Sequence, residues 1–179
     1  NIRFLNAQDS DDEIAEGIEI LRELAEEAKK QVRQPIAVSK LKIGLKCGGS
    51  DGFSGITANP VIGGFSDMLV AQGGSTVLTE VPEMFGAEGF LMNRCVTEKV
   101  FQKAVSMING FKQYFLRHNE VVYENPSPGN KSGGITTLED KSCGCVQKGG
   151  VAPISDVIDY AHQIRTTGLT LLAGPGSDL

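Results

Sequence analysis

Residues 41–60 read LKIGLKCGGSDGFSGITANP, which is an apolar run, a glycine-rich polar loop and a proline, in that order. The apolar run, residues 41–45, is short enough for a buried β-strand, and it leads directly into the loop at residues 47–55. Proline is favoured in the first turn of a helix, so we predict that a helix starts near Pro60 and stops before the glycine pair at residues 73 and 74. The segment thus predicts a strand, a polar loop and a helix.

A second strand is predicted directly after this helix, at residues 75–79 (STVLT). A strand, a helix and a strand in this order form a βαβ unit, whose two strands lie parallel. We therefore predict an α/β fold, a Rossmann-like three-layer arrangement with a mainly parallel sheet. Ligands of such sheets bind beyond the carboxyl ends of the strands, so the loops after both strands should face one crevice.

The remaining elements are predicted from apolar spacing along the chain. Helical patterns lie at residues 11–33, 97–116, 137–146 and 155–162, strands are predicted at residues 121–123 and 169–173, and residues 124–134 are too rich in turn formers for a regular element.

The chain is expected to have two parts. Residues 1–40 should be a linker with an N-terminal helix, and residues 41–179 an α/β domain of the catalytic type. Because the sequence starts with Asn1 and ends in the turn-forming GPGSDL, we expect a piece of a longer polypeptide, which need not be active alone.

Composition narrows the function classes. The 179 residues carry a net charge of -5 with 17 scattered Lys and Arg, which argues against nucleic acid and anionic membranes as partners. No apolar run approaches the roughly 20 residues of a spanning helix, and no signal peptide is evident, so we expect a cytoplasmic protein. The four cysteines form no CxxC pair, so we predict reduced thiols.

Three segments combine glycine with polar side chains, at residues 47–60, 79–88 and 124–134. Glycine-rich loops aim backbone N–H groups at anions, although turns that allow close packing explain them equally well. Neither GxGxxG after the first strand nor GxxxxGK[ST] is present, and HExxH is absent too. The common nucleotide-binding and zinc protease motifs are therefore excluded.

The blocks CGGSDGFSGITANP, LTEVPEMFGAE and NPSPGNKSGGITTLEDKS, with the GL…PGSD end, resemble the altronate and galactarate dehydratase family. TEVPEMFGAE and KSCGCVQKGG favour the altronate branch over the galactarate and sulfolactate sulfo-lyase branches. The resemblance implies a hydro-lyase that converts a sugar acid, first of all D-altronate, to a 2-keto-3-deoxy acid in hexuronate catabolism, with Fe(II) or Mn(II) as cofactor. It also implies further family segments before and after this one.

Dehydration of a dihydroxy acid removes the proton beside the carboxylate and expels a hydroxide, so a Lewis acid and a base are the minimal requirement. From residue chemistry, the candidate catalytic residues are Lys131 and Asp51, the candidate substrate ligands are Ser50, Gly49, Thr57, Asn59, Asn125 and Asn130, and the candidate metal ligands are Cys47, Glu80 and Glu83. Each also has a structural explanation, as a packed thiol, a helix cap, a turn residue or a surface charge.

Two other classes of function stay open at this stage. One is a module that binds an anionic metabolite without reaction, and the other is a structural or oligomerising segment. The expected partner is a small-molecule sugar acid, and a homo-oligomer is allowed for.

Overall fold

The computed structural model describes residues 2–176, and the chain divides after Ile36 into two compact units. The first unit holds a 3-10 turn, Ala7–Asp9, and helix α1, Glu13–Lys29. The Asp12 side chain caps α1 by accepting from the N–H of Ala15, and acidic residues fill the first turn. This charge pattern is the one that the helix dipole favours. The helix predicted over residues 11–33 is thus confirmed.

The second unit is an α/β domain around one four-stranded sheet. Its strands are β1 (Lys42–Leu45), β2 (Ser75–Leu78), β3 (Ile154–Asp159) and β4 (Gly168–Ala173). They lie in the order β1-β2-β4-β3, and each neighbouring pair is parallel. The predicted three-layer α/β arrangement with a mainly parallel sheet is confirmed.

The helices of this unit are mostly where the sequence places them. They are α2 (Ala58–Ala71), α3 (Glu88–Met92), α4 (Glu98–Arg117), α5 (Pro128–Ser132) and α6 (Leu138–Cys145), with 3-10 turns at Val38–Lys40, Val81–Met84 and Val146–Gly149. Helix α2 connects β1 to β2, as the βαβ prediction requires, and it packs on β2 and on the turn Val146–Gly149.

Three predictions about local structure were wrong. Residues 155–162, predicted as a helix, contain most of β3, because Ile154 and Val157 are buried and the segment pairs with β4. Residues 121–123 form a turn and not a strand. The turn-rich segment 124–134 contains α5, since Ser127 and Asn130 form a capping box.

Strand β1 also differs from the prediction of a buried strand. It lies at the edge of the sheet, and only Leu45 of its four residues is buried. Leu45 is aligned with Leu78 and, through it, with Leu171. All three belong to the core and stand near the carboxyl ends of their strands, so the loops after β1 and β2 start side by side.

No helix among residues 2–176 is long and apolar enough to cross a membrane. A wide groove runs between α4 and β3, with Met107, Phe111 and Tyr160 among its lining residues. None of the site residues predicted from the sequence lines this groove.

Candidate active site

The loop after β1 turns a thiol and a hydroxyl inward. Cys47 and Ser50 are both buried, at 5% and 7% exposure. The Cys47 Sγ and Ser50 Oγ atoms are 2.8 Å apart, and the N–H of Ser50 donates to the same sulfur at 3.4 Å. A second sulfur, that of Cys145, lies 3.6 Å from Ser50 Oγ. The Ser50 hydroxyl therefore lies between two thiols that are 98 residues apart in sequence.

The turn after β2 supplies two buried glutamates. Glu80 is 2% exposed and adopts a left-handed conformation, φ 67° and ψ 70°, which L-residues rarely occupy. Such strain persists only where surrounding contacts impose it. The Glu80 carboxylate accepts the N–H of Cys47, which ties the two loops together. Glu83, 6% exposed, lies in the 3-10 turn Val81–Met84.

Two buried lysines that follow Glu83 in the sequence lie beside its carboxylate. Lys141 Nζ is 3.2 Å from Oε1, and Lys148 Nζ is 3.7 Å from Oε2. Lys141 also donates to the side-chain oxygens of Asn125 and Asn130, at 3.0 and 3.1 Å. The two lysines therefore neutralise the buried Glu83 carboxylate. Lys141 also connects it to the third polar segment, residues 124–134.

Asn130 joins that third segment to the first. Its amide nitrogen donates to the carbonyl of Ser50 at 2.9 Å, while its oxygen accepts from Ser127 and Lys141. A backbone hydrogen bond, from the N–H of Gly52 to the carbonyl of Gly133 at 2.8 Å, runs parallel to this link. The three glycine-bearing segments therefore form one cluster at the carboxyl edge of β1 and β2.

The residues that sequence reasoning missed come from one short segment. Lys141, Cys145 and Lys148 are 3–4% exposed and lie at four- and three-residue spacings on α6 and the 3-10 turn after it. That spacing places side chains on one helix face. The spacing can be read from the sequence, but polar residues on a helix are usually solvated, so it does not by itself predict an inward face.

One group of residues could hold a metal ion. Among residues 2–176, the ligand atoms of Cys47, Glu83 and Cys145 lie within 4.8 Å of one another, and all three side chains are buried. Two sulfurs and a carboxylate oxygen suit iron or zinc, and a three-residue set leaves positions for a substrate. Among residues 2–176, Glu80 belongs to no such group, and its carboxylate accepts the Cys47 N–H. Its role as a metal ligand stays a prediction.

The thiols have unequal acidity. The hydrogen bond from Cys145, then those from Ser50, and the charge of Lys148 lower the pKa of Cys47, although burial opposes them. The same Cys47 contact, burial and the charge of Glu83 raise the pKa of Cys145. Cys47 is therefore the more readily ionised sulfur of the pair.

The predicted substrate ligands divide by burial. Asn125 is half-buried, Asn130 is buried, and both are bonded to Lys141. Asn59 is buried and donates to the carbonyl of Gly144 at 3.0 Å, which joins the start of α2 to α6. These amides are arranged to hold segments together.

The other predicted residues are exposed. Asp51 accepts from the N–H and hydroxyl of Ser54, at 2.7 and 2.9 Å, and these bonds lower the pKa of Asp51. The Thr57 hydroxyl donates to a carbonyl one turn earlier. Gly49 lies in the open part of the first loop, and Lys131 is exposed on α5.

Comparisons with known proteins place the chain among sugar acid dehydratases. Residues 38–179 match the family model described as D-galactarate/altronate dehydratase, C-terminal. The chain is 62% identical over 178 residues to altronate dehydratase of Bacillus subtilis (strain 168) and 57% over 177 to that of Escherichia coli (strain K12). Each match covers 99% of this chain and 36% of the relative.

A more distant relative has a different substrate in its name. The chain is 34% identical over 161 residues to galactarate dehydratase (L-threo-forming) of Escherichia coli (strain K12), covering 90% of this chain and 31% of the relative. The chain therefore spans about a third of the length of the curated relatives that it matches.

Proposed function

Because this chain belongs to the D-galactarate/altronate dehydratase family, we propose that the complete natural protein removes water from a sugar acid. The substrate that we propose is D-altronate, since the two relatives above 50% identity are both altronate dehydratases. The product is a 2-keto-3-deoxy acid, formed in hexuronate catabolism. The compartment that we propose is the cytoplasm, since the four cysteines are free thiols.

The observation that carries the proposal is the convergence of three loops on buried charged and sulfur-bearing side chains. Burial of ionisable groups costs free energy unless they are paired, and such groups concentrate at functional sites. Here Glu83, Lys141 and Lys148 lie beside two thiols at the carboxyl edge of a parallel sheet. That edge is where α/β folds place their ligands.

The cofactor in this proposal is Fe(II) or Mn(II), held by Cys47, Glu83 and Cys145. Two sulfur donors favour Fe(II), because Mn(II) prefers oxygen ligands. When bound, the ion supplies a Lewis acid that stabilises negative charge on the substrate and on the departing hydroxide.

The side chains around these donors fix the site before substrate binds. Lys141 neutralises Glu83 and holds Asn125 and Asn130, so the third loop stays on the first. Pre-organisation of this kind lowers the cost of positioning substrate. The two candidate catalytic residues, Asp51 and Lys131, are both exposed, so a proton taken up by either side chain would exchange readily with solvent.

The test is an anaerobic assay of the complete natural protein with Fe(II) or Mn(II) and a panel of hexonates and hexarates, in which 2-keto acid is measured. We expect keto acid from D-altronate, with no product from the Glu83→Gln variant. Product from galactarate alone would correct the substrate. Binding without any product would replace the enzyme with a metabolite-binding module.

A further inference from the structure

The hydrogen-bond ladder between β1 and β2 continues into the site through a side chain. The Thr79 N–H donates to the Leu45 carbonyl at 3.4 Å, just beyond the aligned pair of Leu45 and Leu78. Backbone groups that face one neighbour recur at every second residue of a strand, so the next donor toward β2 is the N–H of Cys47. That N–H donates to the Glu80 carboxylate. The Glu80 side chain therefore extends the ladder by one hydrogen bond into the loop after β1.

The backbone of Glu80 changes the direction of the chain after β2. At φ 67° and ψ 70° it is left-handed, and the N–H of the next residue, Val81, donates to the carbonyl of Gly174, after β4, at 3.0 Å. The Glu80 carbonyl accepts the N–H of Glu83 at 2.9 Å. A left-handed backbone is unfavourable for a residue with a Cβ, and so is burial of a carboxylate. Such unfavourable features concentrate at functional sites, which indicates a role for Glu80 in this one.

Cys47 is held at two points. Glu80 accepts its N–H, while Ser50 contacts its sulfur through Oγ at 2.8 Å and through the N–H at 3.4 Å. Ser50 belongs to the same glycine-rich loop as Cys47, whereas Glu80 belongs to the turn after β2. Because the side chain leaves from the Cα beside that nitrogen, an anchored N–H limits where the sulfur can lie. The sulfur lies within 4.8 Å of ligand atoms of Glu83 and Cys145.

We propose that Glu80 is a positioning residue, whose carboxylate fixes the Cys47 backbone so that the sulfur faces Glu83 and Cys145. The inference rests on the proposed function, since the metal ion belongs to it. Removal of a partner that orients a metal ligand typically weakens metal binding about 10- to 100-fold. Positioning needs only a hydrogen-bond acceptor, so an amide oxygen can replace the carboxylate, whereas direct ligation by Glu80 would need the carboxylate itself.

The experiment is anaerobic titration of the metal-free complete natural protein with Co(II), in wild type, Glu80→Ala, Glu80→Gly and Glu80→Gln. The thiolate-to-cobalt absorption bands measure the affinity. We expect Glu80→Ala and Glu80→Gly to bind Co(II) about 10- to 100-fold more weakly than wild type, and Glu80→Gln, which keeps an acceptor, to lose less than about 10-fold. Glu120→Ala is the control, because Glu120 is exposed beyond the end of α4, and it should bind as wild type does.

The glycine variant separates the carboxylate from the backbone conformation. Glycine adopts positive φ without strain, so Glu80→Gly should have a higher melting temperature than Glu80→Ala, while its Co(II) affinity stays as low. Hydrogen exchange of the metal-free protein gives a second readout. The N–H of Cys47 should exchange faster in Glu80→Ala and Glu80→Gly, and close to the wild-type rate in Glu80→Gln.

Wild-type affinity in Glu80→Ala or Glu80→Gly, or unaltered exchange at Cys47 in both, overturns the inference and leaves the proposed function standing. Equal losses of affinity in Glu80→Gln and Glu80→Ala would make Glu80 a metal ligand and overturn it as well. If neither Glu80→Ala nor Glu80→Gly folds, Glu80 is a structural residue and the inference is overturned. If wild type shows no thiolate-to-cobalt band, the metal site of the proposed function falls, and the inference falls with it.

Discussion

Replacement of Asn130 by alanine tests whether one side chain holds two loops of the site together. The Asn130 side chain bonds to the Ser50 carbonyl, to Ser127 and to Lys141, and it is 8% exposed. Alanine removes every one of these bonds, including the capping box at the start of α5. The third loop should then detach from the first.

The size of the effect can be worked out from the partners left behind. The Ser50 carbonyl and the Lys141 ammonium stay buried, and each unmade hydrogen bond costs about 1–3 kcal/mol. Ser127 is exposed and can bond to water instead, so the loss of its hydrogen bonds to Asn130 contributes little to the change in unfolding free energy. We expect Asn130→Ala to lower the free energy of unfolding by about 2–5 kcal/mol.

Urea unfolding measures this free energy, and hydrogen exchange locates the change. The N–H of Gly52, which donates to Gly133, should exchange faster in the variant. Asn93→Ala is the control, because Asn93 is exposed and its side chain makes no hydrogen bond to the described residues. A change below about 0.5 kcal/mol in Asn130→Ala, with unaltered exchange at Gly52, would show that Asn130 does not hold the two loops together.

Three further outcomes are expected. Gly63→Ala should destabilise the protein by about 1–3 kcal/mol, because its Cβ would lie 2.2 Å from a backbone oxygen of the adjacent turn. Gly64→Ala lies on the same helix, and its Cβ would meet nothing within 4 Å. This control should be neutral or stabilising by up to about 1 kcal/mol. Urea unfolding of the two variants compares them, and equal losses would contradict the packing. Burial raises the pKa of Glu88, but the hydrogen bond from Lys112 acts in the opposite direction, and the net pKa is lowered. The Glu88–Lys112 pair therefore stabilises the fold above the unfolded-state pKa of about 4.3, and this stabilisation is lost as pH falls through the lower folded-state pKa. Between about pH 5 and 3 the Glu88→Gln variant should therefore lose less stability than wild type, and parallel curves of unfolding free energy against pH would argue against this. Titration with Co(II) should give thiolate-to-cobalt absorption bands that weaken in Cys145→Ser, and undiminished bands would remove Cys145 from the ligand set.

Much of the fold could be predicted because its signals are local. An apolar run, a glycine loop and a helix with an early proline define the βαβ unit within residues 41–79. The strand β3 was missed for the opposite reason. Residues 154–159 (ISDVID) also fit a helical pattern, and only pairing with β4, which lies later in the chain, makes them a strand.

For the candidate site, the loops that form it could be predicted from the sequence. Clusters of glycine and polar residues identified the three loops that come together, because loops after parallel strands share one edge. The individual contacts were not predictable, since they depend on distances between remote segments. The Cys145 sulfur lies beside Ser50, which is 95 residues earlier, and the Glu80 carboxylate accepts the N–H of Cys47.

The most direct test of the site as a whole is anomalous diffraction at the iron edge from crystals of the Fe(II)-loaded complete protein, soaked with D-altronate. We expect one strong iron peak among Cys47, Glu83 and Cys145, with altronate bound at the three loops. An iron peak remote from these side chains, or altronate bound away from the three loops, would contradict it.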